Sequence, residues 1–216
     1  MAGKPIQFAL KRLLDIGGSL VGLGLFAVPF ALIALAIKAD SPGPVIFKQE
    51  RVGRNGRRFL SWKFRTMIVH QDKGYKISRD DPRITRVGRV LRNWGLDELP
   101  QLVNVLGGQM SLVGPRALPY PPESYRREER RRLLVKPGLT GWVVVNGRNR
   151  LSWEERIRLD LWYVDHFSLW LDLVILLRTL WVVLVTHEGL YGPGGVNEEF
   201  APASSASGEE PAHHER

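Results

Sequence analysis

The sequence predicts a mixed α/β protein dominated by helices, in which an N-terminal re-entrant membrane helix precedes a cytosolic domain of helices that alternate with short β-hairpins. Three observations support this fold class. Residues 16–37 carry no charge and contain Pro29 near their centre. Later segments repeat apolar residues at helical spacing. Two β-rich runs flank Asn55-Gly56, a dipeptide typical of hairpin turns.

The charge-free run at residues 16–37 has three interpretations. It resembles a signal peptide because basic residues precede it, but it is longer than a usual signal core. As one straight helix it would be about 33 Å long, which is enough for a single-pass span. We favour a re-entrant helix, since basic residues lie on both sides of the run and Pro29 can break it so that both ends stay on one face of the membrane.

The composition of the sequence divides the chain into three parts. We expect residues 1–40 to form the re-entrant helix kinked at Pro29, residues 41–191 the cytosolic domain with interfacial helices, and residues 192–216, rich in Gly, Pro, Ser and Glu, a disordered tail. The elements predicted within the domain are a hairpin around residues 55–56, helices at 84–94 and 96–106, a basic helix at 123–134, a β-prone segment at 136–149, and helices at 152–164 and 169–185.

Two of these helices carry further signals. The helix at residue 152 begins with a capping box formed by Ser152 and Glu155. The segment 169–185 is apolar but contains Asp172 and Arg178, so we expect a buried or interfacial helix in which these charges are paired or face protein.

Composition also limits the classes of function. A chain of 216 residues suits one domain with an appendage. The absence of cysteine excludes disulfides, thiolate metal sites and a cysteine nucleophile. A net charge of +9 predicts an anionic partner, which could be nucleic acid, an anionic membrane surface or a phosphorylated substrate.

Asp97 and Glu98 are the first candidates for chemistry. Acidic residues are favoured in the first turn of a helix, so a helix start is the simpler explanation of the pair when the residues are considered alone. Neighbouring carboxylates can also share a metal ion or divide the roles of nucleophile and helper. The preceding segment has an arginine at every third position: Arg83, Arg86, Arg89 and Arg92. Such a face beside carboxylates suits a phosphoanhydride with Mg²⁺, although a solvated basic face or a lipid-headgroup contact would look the same.

Six segments, taken in order, resemble one known family. They are KRLLDI at 11–16, KFRTM at 63–67, DPRIT at 81–85, LDELPQLVNVLGGQMSLVGPRAL at 96–118, KPGLTGWVVVNGRN at 136–149 and LDLWYVDHFSLWLDLVIL at 159–176. Over about residues 7–185 the chain is similar to the bacterial polyprenol-phosphate phosphoglycosyl transferases in their small monotopic form, the bacterial sugar transferase family.

The resemblance implies a two-step reaction. Asp97 would attack the sugar-bearing phosphate of a UDP-sugar, which gives an aspartyl-phosphosugar and UMP, and polyprenol phosphate would then accept the phosphosugar. It implies that Mg²⁺ is the cofactor, with Glu98 and Asp97 as its ligands. The residues implied in substrate or phosphate binding are Lys63, Arg92, Arg116, Arg148 and Asp160. The segment at 146–149 resembles members that handle amino-modified sugars.

The resemblance also implies where the protein works and with what. We expect it at the cytoplasmic face of the bacterial inner membrane, with a UDP-sugar, polyprenol phosphate and membrane lipids as partners. A homodimer is compatible with the sequence, and nucleic acid is not an expected partner. Two rival functions are a basic membrane-tethered protein that binds anionic lipid or nucleic acid without catalysis, and a metal-dependent phosphatase or nucleotidyl transferase that uses the same acidic pair.

Overall fold

A computed structural model describes residues 5–68, 77–78, 81–186 and 196–197. The helices are α1 (Pro5–Leu25), α2 (Ala27–Asp40), α3 (Arg86–Trp94), α4 (Gln101–Leu106), α5 (Trp142–Val145), α6 (Trp153–His166) and α7 (Leu169–Trp181). The strands are β1 (Ile46–Val52), β2 (Arg58–Phe64), β3 (Ile77–Ser78), β4 (Ser111–Val113), β5 (Gly138–Thr140) and β6 (Val196–Asn197). The predicted mixed α/β class dominated by helices is confirmed.

Helices α1 and α2 form a bent pair. Their axes differ by 59° across a break at Phe26, three residues before Pro29, where we predicted the kink. The difference has a simple cause. Pro29 has no N–H to donate to the Leu25 carbonyl and its ring clashes with that carbonyl, so the helix opens one turn upstream of the proline.

The outer surface of this pair is apolar. Side chains that are largely exposed to solvent include Leu13, Leu20, Val21, Leu25, Val28, Leu32 and Leu35. Among the described residues no single helix is long and apolar enough to cross a bilayer, whereas α1 and α2 together meet that requirement by length and composition. A bent pair with this surface fits either a broken span or a re-entrant segment.

A cysteine-labelling experiment tests the predicted topology. The native chain has no cysteine, so Gly3→Cys and Arg57→Cys each introduce a single thiol, one before α1 and one in the turn after β1. In intact cells both should react only with a membrane-permeant thiol reagent, and in inverted vesicles both should react with an impermeant one. Labelling of the two positions from opposite sides would establish a span. Pro29→Ala should restore the missing N–H and shift the labelling towards a span.

The predicted hairpin is present. Strands β1 and β2 pair antiparallel with Ile46 opposite Phe64 and Val52 opposite Arg58. The turn is a short 3₁₀ segment, Arg54–Gly56, in which Asn55 adopts a φ of 57° that asparagine tolerates better than most residues. The second pairing corrects the prediction of alternating hairpins, because β4 and β5 run parallel.

Other elements differ from the predictions in detail. The predicted helix at 96–106 is a 3₁₀ turn, Leu96–Glu98, followed by α4. The basic helix at 123–134 is reduced to 3₁₀ turns. The β-prone segment at 136–149 contains β5, as predicted, and also the short helix α5. Of the predicted disordered tail, the structure describes Val196–Asn197, which pair with β3, and the remainder lies outside the described residues. The capping box of α6 is confirmed, since Ser152 and Glu155 each bond the other's backbone N–H.

The bent pair packs on the rest of the molecule at both ends. Near the start of α1, Phe8 stacks on Phe167 with ring centroids 4.8 Å apart, beside the buried core of β4, α6 and α7. Near the end of α2, Ile37 packs against Phe64 and Leu91. The segment with the most apolar surface is therefore fixed to the domain at its entry and at its exit.

Helix α7 exposes an apolar face. Its exposed side chains are Trp170, Leu173, Leu177, Leu180 and Trp181. The opposite face buries Ile175 and Asp172, and the Asp172 carboxylate lies 2.5 Å from the Lys11 ammonium of α1. The expectation that Asp172 is paired is confirmed.

Candidate active site

Asp97 and Glu98 lie in a tight turn between α3 and α4. Gly95, with a φ of 67°, ends α3 in the left-handed region that glycine adopts most readily. The chain then makes the 3₁₀ turn Leu96–Glu98. Because neighbouring residues in such a turn point in different directions, Glu98 is directed inward and is buried, while Asp97 remains half-buried.

The Glu98 carboxylate is held by two cations. The Lys63 ammonium from the end of β2 lies 2.9 Å from Oε1, and Arg116 donates to Oε1 at 2.6 Å and to Oε2 at 3.2 Å. Burial by itself would raise the pKa of Glu98, but the charges of Arg116 and Lys63 and the hydrogen bonds from Arg116 hold that pKa well below its usual range. Glu98 is therefore a fixed anion with both oxygens engaged.

Asp97 has the opposite character. Within the described part of the chain its carboxylate makes no hydrogen bond or ion pair. Burial and the adjacent negative charge of Glu98 raise the pKa of Asp97, and the nearby charges of Lys63, Arg92 and Arg148 oppose that rise. Asp97 is thus an unengaged carboxylate with increased basicity, which is the state that suits a nucleophile.

Arg92 reaches the site from the last turn of α3. The helix is capped at its start by the Thr85 hydroxyl, which accepts from Gly88 N, and the Arg92 guanidinium donates to Thr66 Oγ1 at 2.9 Å. The predicted arginine row is shorter than expected. Arg83 precedes the helix and is buried in an ion pair with Asp81 at 2.7 Å, so its guanidinium is already engaged.

Arg116 is positioned by close contact between two backbone segments. After β4 the chain returns to β5 at residues 114–116, where Arg116 forms a separate bridge with Gly138 and Gly138 N donates to Pro115 O at 2.9 Å. A Cβ at Gly138 would lie 2.1 Å from Gly114 N, so only glycine permits this approach. The loop that ends in Arg116 is therefore held against the strand that precedes α5.

Asp160 supports the loop that ends in Arg116 through Arg132. Its buried carboxylate accepts from Arg132 Nη2 at 2.6 Å and from Nε at 3.1 Å, and the same guanidinium donates to the Arg116 carbonyl at 2.8 Å. Burial raises the pKa of Asp160, and the Arg132 charge opposes that rise. Sequence reasoning missed Arg132, because it lies in the arginine-rich run at 126–132 and nothing in that run distinguishes it from its exposed neighbours.

Arg148 lies close enough to the acidic pair for its charge to act on both carboxylates. The Arg148 backbone, directly after Gly147, has a φ of 51°. Within the described residues the Arg148 guanidinium has no hydrogen-bond partner. Burial lowers its pKa, and the charges of Glu98 and Asp97 oppose that effect. Arg148 and Arg116 line one cavity together with Asn149, Trp153 and Arg156. An arginine that lines such a cavity and has no hydrogen-bond partner among the described residues can receive an anionic group.

The structure thus brings together most of the residues predicted for the site. Four cations surround the acidic pair: Lys63, Arg92, Arg116 and Arg148. Asp160 is the exception, because it is joined to them only through Arg132. The site carries more positive than negative charge, which suits a substrate with a diphosphate group.

The acidic pair also fits a magnesium ion that is held mainly by its substrate. In the parts of the chain that the structure describes, no group of three or more His, Asp or Glu side chains could form a protein cage for a metal. Mg²⁺ commonly binds one or two carboxylates and takes its other oxygens from phosphates and water. Asp97 offers an unengaged carboxylate for such an ion, whereas Glu98 would have to exchange a contact with Lys63 or Arg116 for it. The ion would therefore enter with a diphosphate that supplies most of its oxygens.

Comparisons with known proteins show the family of this chain. The family model described as bacterial sugar transferase matches residues 6–186. The chain is 44% identical to the sugar transferase EpsL of Bacillus subtilis, over 88% of this chain and 94% of that protein. It is 45% identical to a UDP-glucose:undecaprenyl-phosphate glucose-1-phosphate transferase of Xanthomonas campestris pv. campestris, over 73% of this chain and 35% of that protein. A UDP-N-acetylgalactosamine-undecaprenyl-phosphate N-acetylgalactosaminephosphotransferase of Aeromonas hydrophila is 40% identical over 83% of this chain and 45% of its own length, so the chain spans less than half of the latter two relatives.

Proposed function

Because the chain belongs to the bacterial sugar transferase family, we propose that it transfers a sugar 1-phosphate from a UDP-sugar to polyprenol phosphate. One observation carries the proposal for this chain's own residues. An unengaged carboxylate, Asp97, stands beside a fully engaged one, Glu98, within a group of four cations. This arrangement can accept a phosphoryl group and stabilise the negative charge around it.

The first step uses Asp97 as the nucleophile. A carboxylate oxygen of Asp97 forms a bond to the sugar-bearing phosphorus of the UDP-sugar. The bond from that phosphorus to the bridging oxygen breaks, and its electron pair leaves with UMP. Arg92 and Arg148, whose charges already act on Asp97, balance the charge on the phosphate oxygens.

The second step regenerates the carboxylate. A phosphate oxygen of the lipid attacks the phosphorus of the aspartyl-phosphosugar, and the bond to Asp97 breaks with its electrons returning to the carboxylate. The product is a polyprenyl diphosphosugar. Dividing the reaction in this way means that the nucleotide can leave before the lipid phosphate enters, so the two bulky substrates do not compete for one space.

The division of labour between the two acids follows from their contacts. Glu98 is bound by Lys63 and Arg116 and its pKa is depressed, so its oxygens are poorly available for attack. Asp97 has no such partner among the described residues, and its raised pKa indicates a more basic oxygen. Glu98 instead keeps the two cations in place, where they can receive the diphosphate.

Mg²⁺ is the cofactor that we assign to this reaction. Glu98 and Asp97 are the residues that would hold it, and it would supply positive charge to the diphosphate. The reaction takes place at the cytoplasmic face of the inner membrane, with the apolar surface of α1 and α2 embedded in lipid and the exposed apolar face of α7 at the membrane surface.

The proposal is tested with purified protein in mixed micelles and a panel of UDP-sugars that contains UDP-glucose, UDP-galactose and their N-acetylated forms. At least one donor should give UMP together with a lipid-linked phosphosugar when polyprenol phosphate and Mg²⁺ are present. Release of inorganic phosphate in place of UMP would identify a phosphatase. Failure of every donor, with protein that remains folded, would contradict the proposed function.

A further inference from the structure

The segment KRLLDI, residues 11–16, makes contacts that the reaction described above does not use. It lies in the part of α1 that enters the bent pair, and three of its side chains turn away from the apolar surface: Lys11, Arg12 and Asp15. All three bond the backbone of residues 105–113. That segment connects the two parts of the candidate active site.

Arg12 bonds the end of α4. Its Nη1 donates to the Val105 carbonyl at 2.6 Å and its Nη2 to the Leu106 carbonyl at 2.7 Å. Both carbonyls lie in the last turn of the helix, where the Val105 carbonyl also accepts from Gly108 N at 3.0 Å. The cation therefore fixes the C-terminal end of α4, which begins three residues after Glu98.

Asp15 bonds the start of β4. One of its oxygens accepts from Ser111 Oγ and from Leu112 N, both at 2.9 Å. Asp15 is 3% exposed and Ser111 is fully buried, so water does not compete for these bonds. Lys11 continues the contact by donating to the Val113 carbonyl at 2.9 Å while it pairs with Asp172.

These bonds act on both sides of the Glu98–Arg116 ion pair. Helix α4 follows Glu98, and β4 ends three residues before Arg116. A shift of residues 105–113 would therefore change the separation of the two partners. We propose that Arg12 and Asp15 are positioning residues, which hold this segment against α1 so that Arg116 meets Glu98 in the geometry required for transfer. This inference rests on the proposed function.

Membrane anchoring alone does not explain these contacts. An anchoring arginine would extend its guanidinium towards lipid phosphates, whereas the Arg12 guanidinium donates to two backbone carbonyls. A buried aspartate does not assist attachment to an anionic surface. Lys38, at the other end of the charge-free run, provides the contrast, because it is exposed and has no hydrogen bond or ion pair among the described residues.

The test compares Arg12→Met and Asp15→Ala with Lys38→Met, which removes a flanking positive charge without touching residues 105–113. Initial rates of UMP release are normalised to the amount of membrane-bound, folded protein. If residues 105–113 are displaced, kcat should fall about 10- to 100-fold in Arg12→Met and Asp15→Ala, with little change in the KM for the UDP-sugar. The kcat of Lys38→Met should stay within about two-fold of the parent value. Asp15→Asn keeps an oxygen that can accept from Leu112 N, so it should recover most of the rate that Asp15→Ala loses.

Hydrogen exchange provides a readout that does not depend on activity. Backbone amides in the peptide 105–118 should exchange faster in Arg12→Met and Asp15→Ala than in the parent, while the peptide around β1 and β2 should be unchanged. If a variant is too unstable, Ser111→Ala removes a single bond to Asp15 and should show a smaller effect in the same direction. If the parent is active, and Arg12→Met and Asp15→Ala have the same kcat and the same amide exchange as the parent, the positioning role is overturned and the proposed function is not. A parent inactive with every donor would instead refute the proposed function, and the exchange result would still decide whether α1 holds this segment.

Discussion

Asp97→Asn should reduce turnover by at least about 10⁴-fold while the protein stays folded. An amide oxygen is a poor nucleophile and its acyl-phosphate equivalent cannot form, so the first step is blocked. Asp97 makes no hydrogen bond or ion pair among the described residues, and its replacement by an isosteric amide leaves the packing intact. The matched control is Asp165→Asn, which alters an exposed aspartate paired with Arg131 and should leave the rate unchanged.

Mass spectrometry makes this prediction specific to the covalent route. Parent protein given the UDP-sugar without polyprenol phosphate should gain the mass of one phosphosugar on the peptide that contains Asp97, and the variant should gain none. The kinetics should be ping-pong, with UMP leaving before the lipid product forms. If rapid quenching never traps the adduct and UMP appears only when both substrates are bound, the lipid phosphate attacks the donor directly and Asp97 has another role.

Glu98→Gln should lower kcat/KM by about 10²-fold or more, through a different mechanism. The change removes the anion that holds Lys63 and Arg116, so both cations lose their fixed positions. It also removes a carboxylate from the proposed magnesium site. The residual rate should therefore depend more steeply on Mg²⁺ concentration than the parent rate does. Glu154→Gln, at an exposed position in α6, is the control.

The pH profile separates this effect from a general loss of structure. In the parent, Glu98 is one of the causes that raise the pKa of Asp97, so the ionised nucleophile is lost as the pH falls through a value above that of an ordinary aspartate. In Glu98→Gln that cause is removed and the remaining positive charges favour the carboxylate, so the pKa of Asp97 falls. The acid limb of adduct formation should move to lower pH. An acid limb that stays in place or moves to higher pH would show that Glu98 does not set the basicity of Asp97.

Much of the fold was predictable because it depends on local chemistry. The hairpin around Asn55, the capping box of α6 and the apolar run broken by a proline each follow from residues that are close in sequence. The bend lies three residues before Pro29 because a proline disturbs the carbonyl one turn earlier in the helix. The parallel pairing of β4 with β5 was missed, since it joins segments more than 20 residues apart and leaves no local signal.

For the candidate active site, too, some features follow from the sequence and others only from the tertiary structure. By itself the sequence determined that Asp97 and Glu98 lie together, that arginines precede them, and through its ordered motifs that the chain resembles the bacterial sugar transferases. Only the tertiary structure decided which acid is engaged and which is available, because Lys63 and Arg116 come from strands and loops remote in sequence. It also placed Asp160 behind Arg132 and brought Arg12 and Asp15 onto residues 105–113. The physical reason is that residue type and spacing fix what a side chain can do, whereas its charge state and partners depend on burial and on contacts that form only when distant segments pack together.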